Sequence, residues 1–221
     1  MYKKITHTIV EEHFDCPEAV DIASAIENNN STAPMRFQAF ADPVVMPSSQ
    51  FRTKIAGLVG DLDNRWQNLL NATFDTAYNY EEAIEEAFVN NDELGNFLKS
   101  YYGAEFGERV NHQWRSVAMS LLYTWRNFKN NFDNSLQSER LTQLVPPFAQ
   151  MLSQYNNIWE KSTVEQLFNE WYSSYVSLAE AKKAKNTSAQ TNIKSIIASD
   201  VAKFSKTLAD GIIAQFPTLF T

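Results

Sequence analysis

A single cysteine, Cys16, leaves no partner for an intrachain disulfide and no Cys-based zinc site, so a reducing compartment fits best. Histidines number three: His7, His13 and His112. The residues three before them are Lys4, Val10 and Arg109, which excludes the paired Glu-x-x-His ligands of a di-iron carboxylate bundle. With only six glycines there is no phosphate-cradling loop, no Walker run and no Gly-x-Ser-x-Gly elbow. No apolar stretch approaches the ~18 residues of a membrane-spanning helix. The opening MYKKITHTIVEEHF has the lysines of a signal peptide without the apolar run behind them. Positive charge is also short: 19 Lys and Arg face 26 Asp and Glu, a net charge of -7, which argues against a protein whose task is to neutralise phosphate. These absences describe a soluble, cytoplasmic protein with no membrane span, no nucleic-acid partner and no cofactor.

What the chain does have is rings. Five tryptophans, nine tyrosines and fifteen phenylalanines on so few glycines suggest helices with aromatic cores. The clearest element is the last, Thr191 to Phe216, where Ile193, Ile196, Ile197, Val201, Phe204, Leu208 and Ile212 recur at three- and four-residue steps and Pro217 closes the helix. Ile55, Leu58, Val59, Leu62, Trp66, Leu69 and Leu70 predict a helix over 51–71, and Ala83, Ile84, Ala87 and Phe88 continue it or start another. Asn91 or Asp92 opens Glu93 to Tyr102, stopped by Gly103. Phe106, Val110, Trp114, Val117, Leu121, Trp125 and Phe128 stripe a long helix over 104–130. Another runs from about Leu136 to Tyr155, kinked or restarted at Pro146 and Pro147, and Ser162 with Glu165 reads as a capping box before Leu167, Phe168, Trp171, Tyr175 and Leu178. The fold class is all-α, a bundle of six to seven helices over 49–221. Residues 1–48 differ: a short helix opens at Asp15 and Pro17, and Pro34, Pro43 and Pro47 keep the segment from Met35 to Met46 extended. With Phe37, Phe40, Val44 and Val45 it reads as an arm that docks, on its own bundle or on a partner.

Three stretches carry a resemblance: NNDELGNFLKSYYGAEFGERV from Asn90, WEKSTVEQLF from Trp159 and DGIIAQFP from Asp210. Together they resemble a group of small bacterial all-α bundle proteins of unknown function, often mislabelled acetylglutamate kinase, over residues 54–218. The resemblance implies a helical bundle and no activity. In that group histidines punctuate three helices. The matching positions here hold Asp63, Val117 and Trp171, so a metal or small-ligand site owed to those histidines is expected to be lacking.

The remaining candidates each have an ordinary reading beside the functional one. His7 and Glu11, and Glu108 and His112, are four residues apart and share a face on a helix; two ligands do not make a metal site, and such pairs are usually solvated contacts. Glu81, Glu82, Glu85 and Glu86 form an acidic ladder suited to cations or a basic partner, and Lys182, Lys183 and Lys185 are the densest basic cluster; both read first as exposed helix faces. Cys16 near His13 is followed by Pro17 and makes no recognisable nucleophile. Gly57 and Gly60 on one helix predict close approach of another. The rings Trp114, Tyr123, Trp125, Phe128, Trp159, Trp171, Tyr172 and Tyr175 either line a pocket or fill the core. Asp63 and Asp200, with Trp66, mark a buried polar spot. The function expected is a non-enzymatic structural or protein-interaction bundle, held to copies of itself or to a larger particle through the arm or an aromatic face. The alternative is a metal- or small-ligand-binding bundle, with oxidative chemistry as one option for it. Asn runs at 28–30, 90–91 and 130–131 and the arm prompt the further reading of a viral particle component.

Overall fold

A computed structural model describes residues 45–221 apart from 90–91 and 133–134, with the side chains of 135–138 and 140–142 also left aside. The described residues belong to one compact unit, Phe37–Thr221. The short helix expected from Asp15, the extended segment expected from Met35 to Met46 except for Val45 and Met46, and His7, Glu11, His13 and Cys16 lie outside the described residues.

Seven helices are described: α1 Ser48–Phe74, α2 Tyr80–Phe88, α3 Glu93–Tyr102, α4 Ala104–Asn130, α5 Ser135–Tyr155, α6 Lys161–Lys183 and α7 Thr187–Gln215. A 3-10 turn, Pro217–Leu219, follows α7. The protein is all-α, and no described helix is long and apolar enough to cross a membrane. The four long helices α1, α4, α6 and α7 wrap one core, α5 packs on α4 and α6, and α2 and α3 lie against α1 and α4.

Periodicity explains the core. On α1 the residues Phe51, Ile55, Val59, Leu62, Trp66, Leu69 and Leu70 are all buried, as are Phe106, Val110, Trp114, Val117, Leu121 and Trp125 on α4. All five tryptophans are essentially inaccessible. Trp66 lies 5.0 Å from Trp171 and Trp114 lies 5.3 Å from Phe168, both pairs with tilted rings, an arrangement that the ring quadrupole favours over a face-to-face sandwich.

Helix ends depart from the sequence reading where a side chain offers a better cap. The last helix begins at Thr187, not Thr191, because the Asn186 side chain accepts from the amide of Ala189. Asn79 does the same for Glu82 and separates α2 from α1. The capping box expected at Ser162 and Glu165 is not formed: the helix already starts at Lys161, with Glu160 at the N-cap and no side-chain bond. Pro146 and Pro147 lie inside a single helix. Gln113 of α4 donates to the Leu144 carbonyl at 2.9 Å and ties that stretch down.

The glycine expectation is corrected. A methyl group at Gly57 would meet nothing within 4 Å, and the same holds at Gly60. Close approach occurs instead where a Cβ at Gly95 would run into Asn111 and the Gly107 backbone, and where one at Gly211 would run into the Trp159 indole. At the other end of α1, the Met46 amide donates to the Leu219 carbonyl at 3.2 Å, and the Pro47 carbonyl accepts from Phe51. Met46 and Pro47 are therefore held by the bundle, upstream of the boundary expected at residue 48.

Candidate functional site

Asp63 is where the interior carries a charge-bearing group. It sits on α1 between Val59 and Trp66, inside the stripe, and is 6% exposed. The Oδ1 atom accepts from the Tyr175 hydroxyl at 2.7 Å and from the Trp171 indole at 3.2 Å, and Oδ2 accepts from Gln67 at 2.7 Å. The Tyr175 hydroxyl also lies 3.0 Å from the Asp63 carbonyl. Burial raises the Asp63 pKa above the ordinary carboxylate range, and the three donors oppose that shift only in part. Burial, then the Asp63 charge, pushes the Tyr175 hydroxyl far up, so it stays a donor. The result is a carboxylate joining α1 to α6, with both oxygens already engaged.

Asp200 on α7 is also buried, at 3% exposure, but has different partners. It accepts from Ser174 at 3.2 Å and from Lys203 at 3.1 Å, and Lys203 also lies 3.7 Å from Glu170. The bond to Asp200 raises the Lys203 pKa. The buried polar spot expected around Asp63, Trp66 and Asp200 is thus two networks on α6, one through Trp171 and Tyr175 and one through Ser174, with no shared partner among the described residues. Trp66 contributes packing: its ring meets Trp171, Trp114 and Tyr175, and its indole N–H, like those of Trp114 and Trp125, has no acceptor within the described residues.

The other candidates lie on the outside. Glu108 and His112 are exposed on α4. Glu108 stands 3.8 Å from Lys99, and no third His, Cys, Asp or Glu joins the pair in a metal-holding group among the described residues. The acidic ladder lies on the outer side of α2, with Glu86 turned to Arg65 at 3.5 Å. Of the aromatic stripe, Trp114, Trp125, Trp159, Trp171, Tyr172 and Tyr175 are buried, and Tyr123 and Phe128 are half-buried, so these rings fill the core. Two shallow grooves open to solvent, about 460 Å³ along the outer face of α1 at Thr53, Gly57 and Asp61, and about 540 Å³ along α6 at Gln166, Asn169 and Ser173.

A third polar joint has no counterpart in the sequence reading. The Tyr102 hydroxyl donates to Gln215 Oε1 at 2.9 Å and accepts from Asn156 Nδ2 at 3.0 Å, while Gln215 Nε2 donates to the Tyr155 carbonyl at 3.1 Å. Trp159, beside Tyr102 at 5.4 Å, donates to the Thr207 carbonyl at 3.1 Å and lies over Gly211. The Tyr-Gly, Trp-Glu and Gly-Ile-Ile-x-Gln-Phe stretches therefore meet at one place where α3, α5, the α5–α6 turn and α7 are tied together. A clamp of the same kind holds α3 to α4, where Arg115 takes both oxygens of Asp92 at 2.6 Å and donates to the Phe88 carbonyl. Comparison with protein-family models, curated protein sequences and solved structures gives no match to the chain.

Proposed function

We propose that the chain is a non-enzymatic structural or protein-interaction bundle that docks through its N-terminal arm. The observation that carries this reading is the use made of the interior polar groups. Asp63, Tyr102, Asn156, Asp200 and Gln215 each spend their hydrogen bonds on joining helices. Asp63 is buried and takes three donors from its own chain, so the carboxylate serves to tie α1 to α6. The aromatic face considered beside the arm loses weight, because its rings are committed to the core. The resemblance fits the same reading: Asp63 and Trp171, two of the positions matching histidines in that group, are bonded to each other. Comparing the mass of the full chain with that of residues 45–221 by light scattering tests it. The cut falls after residue 44 so that Met46 keeps its bond to Leu219.

The ligand half of the second reading rests on a narrower observation, the indole N–H donors of Trp66, Trp114 and Trp125 without acceptors, which suit a ligand oxygen and offer nothing to a metal. Elemental analysis and an absorption spectrum of the purified protein separate the two. A stoichiometric transition metal would favour this second reading.

A further inference from the structure

One end of the bundle gathers charges that find no ion partner within the described chain. Lys129, near the end of α4, donates to the Thr73 carbonyl in the last turn of α1 at 2.6 Å, and Lys182, near the end of α6, lies in the field of Asp75 just past α1. The Lys129 bond sets the C-terminal ends of α1 and α4 side by side, and the influence of Asp75 on Lys182 places the end of α6 near them, with the start of α2 and the α6–α7 turn following in the chain. On that end stand Lys182, Lys183 and Lys185, joined by Lys194 from the first part of α7, and none of them has an ion pair among the described residues. Helix C-termini favour lysine, which accounts for part of the clustering. It does not account for Lys182 and Lys194 opposing each other: burial first, then the Lys194 charge, lowers the Lys182 pKa, with only Asp75 acting the other way.

The start of α2, a few residues beyond the end of α1, brings the opposite charge to this end. Glu81 and Glu82 occupy the first turn of α2 and Glu85 follows on the next. All three are exposed and without an ion pair among the described residues, in contrast to Glu86, which faces Arg65. Exposed rings lie at this end too. Tyr78, in the α1–α2 connection, is 47% exposed, and Phe132, immediately after α4, is 66% exposed. The left-handed Asn131 and a 2.9 Å bond from the Phe132 amide to the Asn127 carbonyl fix the backbone that presents Phe132. Apolar groups rimmed by charges of both signs are the composition of a contact surface.

We propose that this end of the bundle is a self-association surface on which two copies meet about a twofold axis, the lysines of one facing the α2 glutamates of the other, with Tyr78 and Phe132 covered between them. A second copy is the occupant that supplies both signs at once, because a surface bearing adjacent complementary patches is complementary to itself when turned through a twofold. The contact deepens the reading of the chain as an interaction bundle, yet it uses none of the arm. Loss of the arm-dependent assembly and loss of this contact are therefore separate results.

The test is sedimentation velocity of the full chain over a concentration series at about 50 mM and about 500 mM salt, where screening lengths differ severalfold. Two variants accompany it, Lys183→Glu with Lys185→Glu and Lys194→Glu, and Glu81→Lys with Glu82→Lys and Glu85→Lys, with helicity checked by circular dichroism. If either triple variant loses helicity, the single change Lys194→Glu or Glu82→Lys takes its place. The expected result is a concentration-dependent pairing at low salt that is at least ~10-fold weaker at high salt, beyond any association the arm sustains at both. Each variant alone should lose this salt-sensitive step and sediment at low salt as the wild type does at high salt, and an equimolar mixture should restore it, since every contact is then attractive again. A full chain whose mass does not differ between low and high salt, a variant that associates as the wild type does at low salt, or a mixture that fails to pair would overturn the proposal.

Discussion

Replacing Asp63 by alanine and by asparagine separates the two roles of its buried carboxylate, as a charge and as an acceptor. Asparagine keeps an oxygen for Trp171 and Tyr175 and removes the titration; Gln67 need only turn its amide over to face the new NH₂ group. Alanine removes the acceptor as well. The Trp171 indole, 3.2 Å from Oδ1, then has no partner, at a cost of about 1–3 kcal/mol. Tyr175 loses less, because its hydroxyl still reaches the Asp63 carbonyl at 3.0 Å. Neither variant carries the charge, so their difference isolates the hydrogen bonds: Asp63→Ala is expected to be about 2–3 kcal/mol less stable than Asp63→Asn. The pH dependence follows from the direction in which burial moves the carboxyl. The Asp63 pKa in the folded chain lies above the ~3.9 of an unfolded aspartate, so between the two values the native state holds a proton that the unfolded chain has released. Asp63 therefore favours folding most below the unfolded value. That stability is lost as pH rises through the folded value, by about 1.4 kcal/mol for every pH unit that separates the two. Urea unfolding followed by tryptophan fluorescence, from about pH 4 to 8, measures both effects. Asp63→Asn should remove this part of the wild-type slope. An asparagine variant with the full wild-type slope, or an alanine variant within ~0.5 kcal/mol of it, would refute the reasoning.

Gly211→Ala puts a methyl group into the Trp159 indole and is expected to lower stability by about 2–3 kcal/mol, read as a lower melting temperature with a red-shifted tryptophan emission. Gly57→Ala, at the position where nothing stands within 4 Å, should do the opposite and stabilise by about 0.5–1 kcal/mol through helix propensity, measured by the same melts. Tyr102→Phe removes the hydroxyl bonded to both Gln215 and Asn156 and should cost about 1–2 kcal/mol in urea unfolding; amide exchange at the end of α7 should quicken while the start of α7 is unchanged.

The helices were legible because burial imposes a period. The stripes from Ile55 to Leu70 and from Phe106 to Trp125 need no tertiary knowledge, and every residue named in them is buried. Boundaries were less legible, since Asn186, Ser162 and Asp92 are all good caps by type and only the local backbone chooses among them: Asn186 caps, Ser162 does not, and Asp92 turns to Arg115. Asp63 and Asp200, with Trp66, read from the sequence as one polar spot; both carboxylates are buried, in separate networks. Their partners were out of reach because Tyr175 and Asp63 are 112 residues apart and nothing in either neighbourhood specifies the other. Gly57 and Gly211 make the same point from the other side. Both are helical glycines, and only the facing helix decides that one meets an indole and the other meets solvent. The Tyr102, Asn156 and Gln215 joint was hidden because tyrosine, asparagine and glutamine carry no motif of their own. Tyr102 and Gln215 are 113 residues apart, and nothing in either neighbourhood points to the other.

The most direct test of the account is the light-scattering mass of the full chain, compared with residues 45–221, at about 0.5 M salt, where exposed charge contacts are screened to a few ångströms. An interaction bundle that docks through its arm predicts a mass above the 25.3 kDa of one chain, or a retained protein partner, for the full chain, and a bare monomer once residues 1–44 are removed. A full chain that runs as a lone monomer and is unchanged by the deletion would contradict it.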